Sequence, residues 1–118
     1  MADYGVFIGF GFPARGREEG AVKAFGELIQ FLTGQAQQRN VESFEPCFLQ
    51  AHGGDLGGFV LMRGERAKLD QMVASEAFQK IVIRAQTSVE NLGVVNATLG
   101  QELQKSMSTF LPDTADLR

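Results

Sequence analysis

The sequence predicts an α+β fold whose elements follow the order strand, helix, strand, strand, helix, strand. Three observations lead to this prediction: period-two apolar alternation near the N-terminus, a helical apolar pattern over residues 17–39, and a Gly-rich turn between two short apolar runs. A second helical region and a last strand complete the order. The chain has 118 residues, which is enough for one domain with its own core.

The first strand is predicted from Tyr4 to Phe12, because aromatic and β-branched residues alternate there with other residues. One face would carry Tyr4, Val6, Ile8, Phe10 and Phe12. The opposite face would carry Phe7 and three glycines, which leave room for another backbone or a ligand. Pro13 ends the strand.

A helix is predicted from about Arg17 to Arg39. Its apolar residues recur at helical spacing and would form one buried stripe, made of Val22, Phe25, Ile29 and Leu32. Gly34 lies inside this span and marks either the real end of the helix or a kink.

Residues 42–64 predict a β-hairpin. Its apolar runs are Phe44–Ala51 and Phe59–Met62, and the connection between them contains four glycines and an aspartate. Pro46 cannot donate a hydrogen bond to a neighbouring strand, so the first run is predicted to lie at an edge of the sheet or to be bulged.

Residues 65–91 predict a second helical region that is interrupted once. Ser75 followed by Glu76 is typical of a helix start, so a short helix should end near Val73 and a longer one should begin at Glu76. A stop signal at 91–93 precedes a last strand at 94–99. A tail helix at about 101–111 would follow, with Leu103, Met107, Phe110 and Leu111 on its apolar side.

This order of elements is the split βαβ, or ferredoxin-like, arrangement. Both helices would cover one face of a four-stranded antiparallel sheet. The other face would expose aromatic residues such as Phe7, or the pair Phe44 and Phe48. A second copy related by a two-fold axis would cover it and produce a dimeric α/β barrel. The tail helix would extend that interface; alternatively, it folds back over the open face itself.

Composition excludes several classes of function. The net charge of −3 argues against nucleic acid as a partner, and no apolar run is long enough for a membrane span. The N-terminus lacks the layout of a signal peptide. The single cysteine, Cys47, fits a reducing compartment. We therefore expect a cytoplasmic protein with no membrane and no nucleic-acid partner.

Three stretches carry a resemblance to a known group: VESFEPCFLQAHGGDLGGFVLMRGERAKLD, SEAFQKIVIRA and NLGVV. With their order of elements, the chain resembles the dimeric α/β-barrel superfamily, and within it a group of small bacterial proteins without an assigned activity. The resemblance implies a homodimer. It does not select a reaction, because the superfamily contains monooxygenases, heme proteins, isomerases and ligand-binding domains.

His52 and Asp55 are the candidate catalytic pair. A histidine oriented by a carboxylate is a general base near neutral pH, and His52 lies at a strand end beside a flexible turn. Such chemistry would give a cofactor-independent monooxygenase or isomerase. The more conservative interpretation is that Asp55 shapes the turn through its own backbone and that His52 is a half-exposed strand-end residue.

The candidate ligand-binding residues lie on the hairpin strands. Period two places Phe59, Leu61 and Arg63 on one face, where the Arg63 guanidinium would suit a carboxylate or enolate. Glu45 would be a buried acid, and Phe48 an apolar wall. Alternatively, Arg63 reaches solvent or pairs with Glu45. Period two does not decide which face is inside.

No cofactor or metal is expected. One histidine and one cysteine do not supply a zinc site at any familiar spacing, and the glycine pattern after the first strand does not match a dinucleotide fingerprint. The expected partners are a second copy of the chain and a small apolar or aromatic ligand.

Three functions follow from these observations. The first is a small-molecule-binding homodimer with an apolar cavity between sheet and helices, lined by Phe and Leu with one or two polar groups. The second is the enzyme, which requires His52 near Asp55 or Glu45 at the opening of a cavity. The third is a structural dimer with a filled interior.

Overall fold

The computed structural model describes residues 3–117 and has the predicted order of elements. The elements are β1 (Tyr4–Phe10), α1 (Glu18–Gln37), β2 (Ser43–Phe48), β3 (Gly58–Arg63), α2 (Arg66–Ala74), α3 (Glu76–Gln86), β4 (Gly93–Thr98) and α4 (Gly100–Asp113), followed by a short 3-10 turn, Ala115–Leu117.

The four strands form one antiparallel sheet in the order β2-β3-β1-β4. Strand β2 is therefore an edge strand, as Pro46 predicts, and Pro46 lies opposite Val60 of β3. The interleaved order brings the N-terminal strand to the middle of the sheet, between β3 and β4.

The core lies between one face of the sheet and the helices. Val6, Ile8, Val60 and Met62 point from the two central strands towards the helices and are almost completely buried. The helices contribute Leu28, Leu32, Leu69, Met72 and Phe78 to the same cluster. Phe78 has no exposed surface, and burying such a side chain contributes about 1.5–3 kcal/mol to folding.

Helix α1 packs through a stripe that matches the predicted one only in part: Leu32 is buried and Phe25 packs against the core, as predicted, but the other buried positions are shifted. Its buried residues are Ala21, Ala24, Leu28 and Leu32, whereas Val22 is 74% exposed. Small alanine side chains allow a close approach to the sheet, so the helix is rotated by about one residue relative to a stripe of large residues. Gly34 neither ends nor interrupts the helix, which continues to Gln37.

The second helical region is interrupted where the sequence predicts. Ser75 Oγ accepts a hydrogen bond from the Phe78 backbone N–H at 3.2 Å, which caps α3. Helix α3 ends at Gln86, earlier than the predicted stop at residues 91–93. The cause is a tertiary contact: Val89 bridges Pro13, and the Gly11 N–H donates to the Glu90 carbonyl.

Helix α4 projects from the body of the domain. Its first turn is tied down by the Gln101 N–H, which donates to Asp3 Oδ1 at 3.1 Å. Every side chain from 101 to 110 is exposed, so the helix does not fold back over the sheet. Within residues 3–117, no helix is long and apolar enough to cross a membrane.

Candidate functional site

An apolar cavity of about 440 Å³ lies between the helix-covered face of the sheet and helices α1 and α3. The strands form its floor and the two helices its walls. Its lining residues are Ile8, Phe10, Gly11, Phe12, Pro13, Ala21, Val22, Ala24, Phe25, Leu28, Phe48, Leu49, Gly57, Phe78, Ile81, Val82, Ala85, Val89 and Leu92.

All of these lining residues are apolar. No side chain in the wall can donate or accept a hydrogen bond, so a polar group of a ligand placed against these side chains would find no side-chain partner. The cavity therefore favours a compact apolar molecule, and its volume lies in the range of small-molecule sites.

Three phenylalanines lie together at the mouth of the cavity. The Phe25 ring centre is 5.0 Å from Phe48 and 6.0 Å from Phe10, and the Phe48 and Phe10 centres are 6.2 Å apart. Phe48 is 70% exposed, so the cluster reaches from the interior to solvent. Aromatic faces and edges at this spacing suit contact with another ring.

The hairpin connection is held against β1 beside this mouth. The Leu49 N–H donates to the Gly57 carbonyl at 2.9 Å, and the Gly57 N–H donates to the Phe10 carbonyl at 2.8 Å. A Cβ at Gly57 would lie 2.9 Å from the Gly11 carbonyl oxygen, so only glycine allows this approach. Backbone hydrogen bonds thus shape this side of the mouth.

An ion pair links the two helices that form the walls. Arg84 of α3 donates from Nε and one terminal nitrogen to the Glu27 carboxylate of α1, at 2.8 and 3.1 Å. The hydrogen bond from Arg84 lowers the pKa of Glu27, and the same contact raises the pKa of Arg84. The bidentate geometry favours one spacing between the helices.

His52 lies in the exposed connection between β2 and β3, and both ring nitrogens have backbone partners. Nε2 is 2.9 Å from the Leu56 carbonyl oxygen, and Nδ1 lies 3.3 Å from the Gly54 N–H, from which it accepts. This pattern fits a neutral imidazole with its proton on Nε2. No hydrogen bond joins His52 to Asp55 or Glu45 within residues 3–117, and His52 does not line the cavity.

The predicted ligand-binding residues are divided between the two faces of the sheet. Phe48 lines the cavity, whereas Phe59, Leu61 and Arg63 share the open face, the one not covered by helices. Glu45 lies opposite Leu61 on that open face, where it is exposed and not buried as predicted, because no helix covers this face. It forms no ion pair with Arg63 in the described part of the chain. The shared face of Phe59, Leu61 and Arg63 agrees with period two.

The open face carries its own apolar cluster. The Phe7 and Phe59 rings stack with their centres 5.2 Å apart, and Leu61 and Val95 flank Phe7 in register on either side. Val95 is 57% exposed. The Phe7 ring also occupies the space above Gly9, where an added Cβ would meet it at 2.6 Å.

Most residues of the cavity wall were not predicted from the sequence. Phe78, Ile81, Val82, Ala85 and Val89 line the cavity, but none of them is among the predicted ligand-binding residues. The available signal was an excess of apolar residues on α3 together with alanines on α1, which leave space that large residues would fill. Among residues 3–117, no group of acidic, histidine or cysteine side chains could hold a metal ion.

No family model matches the sequence, and no curated protein matches it. Solved structures do match. A dimeric ferredoxin-like protein of unknown function from Bacteroides fragilis has a TM-score of 0.58 at 6% identity, covering 82% of this chain and 97% of that one. A dimeric ferredoxin-like protein of unknown function from a Jannaschia species has a TM-score of 0.57 at 16% identity, covering 82% and 98%.

The chain has the ferredoxin-like fold. An antibiotic biosynthesis monooxygenase has the same architecture, with a TM-score of 0.54 at 18% identity and coverage of 82% of this chain and 97% of that one. The expected ferredoxin-like α+β arrangement is thus confirmed, as is the resemblance to this structural group. Identities this low establish a shared fold and leave the activity to the site itself.

Proposed function

We propose that this protein is a small-molecule-binding homodimer that holds a compact, apolar and preferably aromatic ligand in the cavity between its sheet and helices. The observation that carries the proposal is a cavity of about 440 Å³ whose lining residues are all apolar. Several lining residues, Phe48 among them, are exposed to solvent, so an apolar ligand that covered this wall would remove apolar surface from water.

The ligand class follows from the wall. Phe10, Phe25 and Phe48 offer aromatic contacts at the mouth, and helix α3 supplies aliphatic side chains deeper inside. A ligand with one or two rings would fit the volume, with any polar substituent directed through the mouth into solvent. The free thiol of Cys47 supports a reducing, cytoplasmic location for such a protein.

Naphthalene is a suitable probe, because it has two rings and no polar group. Ala85 lines the cavity and Ala77 is exposed on the same helix, so Ala85→Leu and Ala77→Leu form a matched pair. We expect Ala85→Leu to weaken naphthalene binding about tenfold or more, since the added side chain occupies ligand volume. Ala77→Leu should bind like the unmodified protein.

The measurement is a titration followed by amide chemical shifts, with Gly11 and Gly57 as reporters inside the cavity. Naphthalene that shifts only signals from the open sheet face, in both variants alike, would exclude the cavity as the binding site.

The homodimer part of the proposal is supported by the open sheet face. Its stacked Phe7 and Phe59 with Leu61 and Val95 make a patch of the kind that a second copy covers. Two of the solved structures with this fold are dimers. The open face also holds Arg63 and Glu45, which we propose as polar positions within the dimer interface or as ligand contacts there.

Val95→Glu tests this face, and Ile83→Glu on α3 is its control, because the two side chains are 57% and 59% exposed. We expect Val95→Glu to be monomeric at concentrations where Ile83→Glu is still dimeric, since a charge buried in an apolar interface is costly. Sedimentation equilibrium measures both. Equal dimerisation of the two variants would place the interface elsewhere.

The second candidate is a cofactor-independent monooxygenase or isomerase with His52 as base and Asp55 as its orienting group. It is supported by the fold shared with an antibiotic biosynthesis monooxygenase and by the position of His52 in the connection whose two ends line the cavity. The monooxygenase predicts oxygen uptake with an ionisable phenol such as 1-naphthol, lost in His52→Ala. Binding of 1-naphthol without oxygen uptake would contradict the monooxygenase and support the small-molecule-binding protein.

A further inference from the structure

Helix α4 carries an apolar stripe that is left exposed by the part of the chain that the structure describes. Leu103, Met107 and Phe110 are spaced by four and three residues, so they lie on one side of the helix. Their exposed fractions are 49%, 54% and 59%. We propose that α4 is an exchange arm, and that this stripe packs against the second subunit of the homodimer.

The marginal stability of an isolated helix of this length supports docking of α4 on another surface. A helix of 14 residues is marginal in water when isolated, even with favourable residues. The Asp3 carboxylate accepts from the Gln101 N–H in its first turn, but the side chains from 101 to 110 are all exposed and pack against nothing in the described part of the chain that would hold the rest of the helix. A packing surface from outside the chain would supply the stabilisation that α4 lacks.

The area that a stable dimer interface buries also supports docking of the arm. Strands of about six residues at about 3.3 Å each, four abreast at about 4.8 Å, give the open sheet face a projected area of roughly 400 Å². Stable interfaces bury about 800 Å² per partner. Three large apolar side chains would add roughly 300 Å² on the arm and a similar area on the surface that receives it. The arm therefore enlarges the apolar surface that the open sheet face offers to a second copy.

The charges of α4 exclude an anionic membrane as the partner of the stripe, and the position of the open sheet face disfavours packing within one chain. Helices that lie on anionic membranes have a basic polar face, whereas α4 has one lysine, no arginine and an acidic Glu102 in its first turn. Folding back onto its own sheet would compete with the second copy for the same apolar face. A second copy is the partner that the area requirement calls for.

This inference rests on the proposed homodimer. Met107→Glu places a charge in the stripe, and Ser108→Glu adds the same charge one residue later, outside the stripe. Both positions are exposed in the single chain. A solvated arm therefore predicts no difference between them, whereas a docked arm predicts that Met107→Glu weakens dimerisation about tenfold or more.

Sedimentation equilibrium of the full-length variants measures the dimer constants. A dimer that is equally stable with Met107→Glu and Ser108→Glu would overturn the arm while leaving the sheet-face dimer intact. A wild-type protein that is monomeric at every concentration would overturn both the arm and the dimer.

A fluorescence readout tests the same contact without weakening it. The chain has no tryptophan, so Phe110→Trp reports on α4 alone. We expect its emission to shift to the blue as rising concentration converts monomer to dimer. Emission that stays at the wavelength of a solvated indole, while sedimentation shows a dimer, would contradict docking of the arm.

Discussion

Tyr4 donates a hydrogen bond to Asp70 Oδ1 at 2.9 Å, and the Arg66 guanidinium carbon lies 5.3 Å from the centre of its ring. The contact ties the first residue of β1 to helix α2. Partial burial, the hydrogen bond and the negative charge of Asp70 raise the pKa of Tyr4 above its ordinary value of 10.0, and the charge of Arg66 opposes them in part. The side chain is therefore expected to stay protonated to higher pH than a free tyrosine.

Tyr4 is the only tyrosine, so ultraviolet absorbance of tyrosinate reports on this residue alone. We expect a titration midpoint above 10.0 in the folded protein, and a lower midpoint in Asp70→Asn, which loses the charge. Because the pKa is raised on folding, this contact stabilises the fold below about pH 10 and is lost as pH rises through the folded value. Identical midpoints for the native and urea-unfolded protein would contradict the contact.

The hydrogen-bond partners of side chains in the connection between β2 and β3 could not be predicted from the sequence. His52 and Asp55 are close in sequence, but His52 takes its partners from the backbone of Leu56 and Gly54. The dihedral angles of the glycine-rich connection decide which groups meet there, and glycine leaves those angles open. The pairing of His52 with Asp55 therefore stays a prediction.

The helices and strands could be predicted from the sequence, because apolar residues recur at regular spacing in these segments. Pro46 correctly indicated an edge strand, and Ser75 correctly indicated the break between α2 and α3. The buried stripe of α1 was wrong by one residue, with Ala21 and Ala24 buried instead of Val22. Apolar periodicity predicts that a helix forms. Whether its small or its large apolar side chains face the sheet depends on how closely the helix packs against the sheet.

Gly26 provides a test of α1 as an element. It lies mid-helix with no atom within 4 Å of an added Cβ, so Gly26→Ala should raise the free energy of unfolding by about 1 kcal/mol. Gly5→Ala is the contrasting variant, because its Cβ would lie 2.6 Å from the Met62 carbonyl oxygen and must disturb the sheet. Urea denaturation compares the two, and a loss of stability in Gly26→Ala would contradict the open environment.

On the scale of the whole molecule, one sheet separates two apolar surfaces with different proposed roles. The helix-covered face bounds the cavity, and the open face bears the Phe7 and Phe59 cluster. Alternation along β1 predicted that both faces would be apolar. The different roles proposed for the two faces could not be predicted. The cavity depends on how α1 and α3 are placed over the sheet, and no single segment of the sequence determines that placement.

The most direct test of the account is a crystal of the protein pressurised with xenon, which occupies apolar cavities and avoids polar ones. The account predicts xenon density between α1, α3 and the sheet, in van der Waals contact with Phe10, Phe25 and Phe78. Those side chains closing together with no xenon between them, or xenon only on the open sheet face, would contradict a ligand cavity.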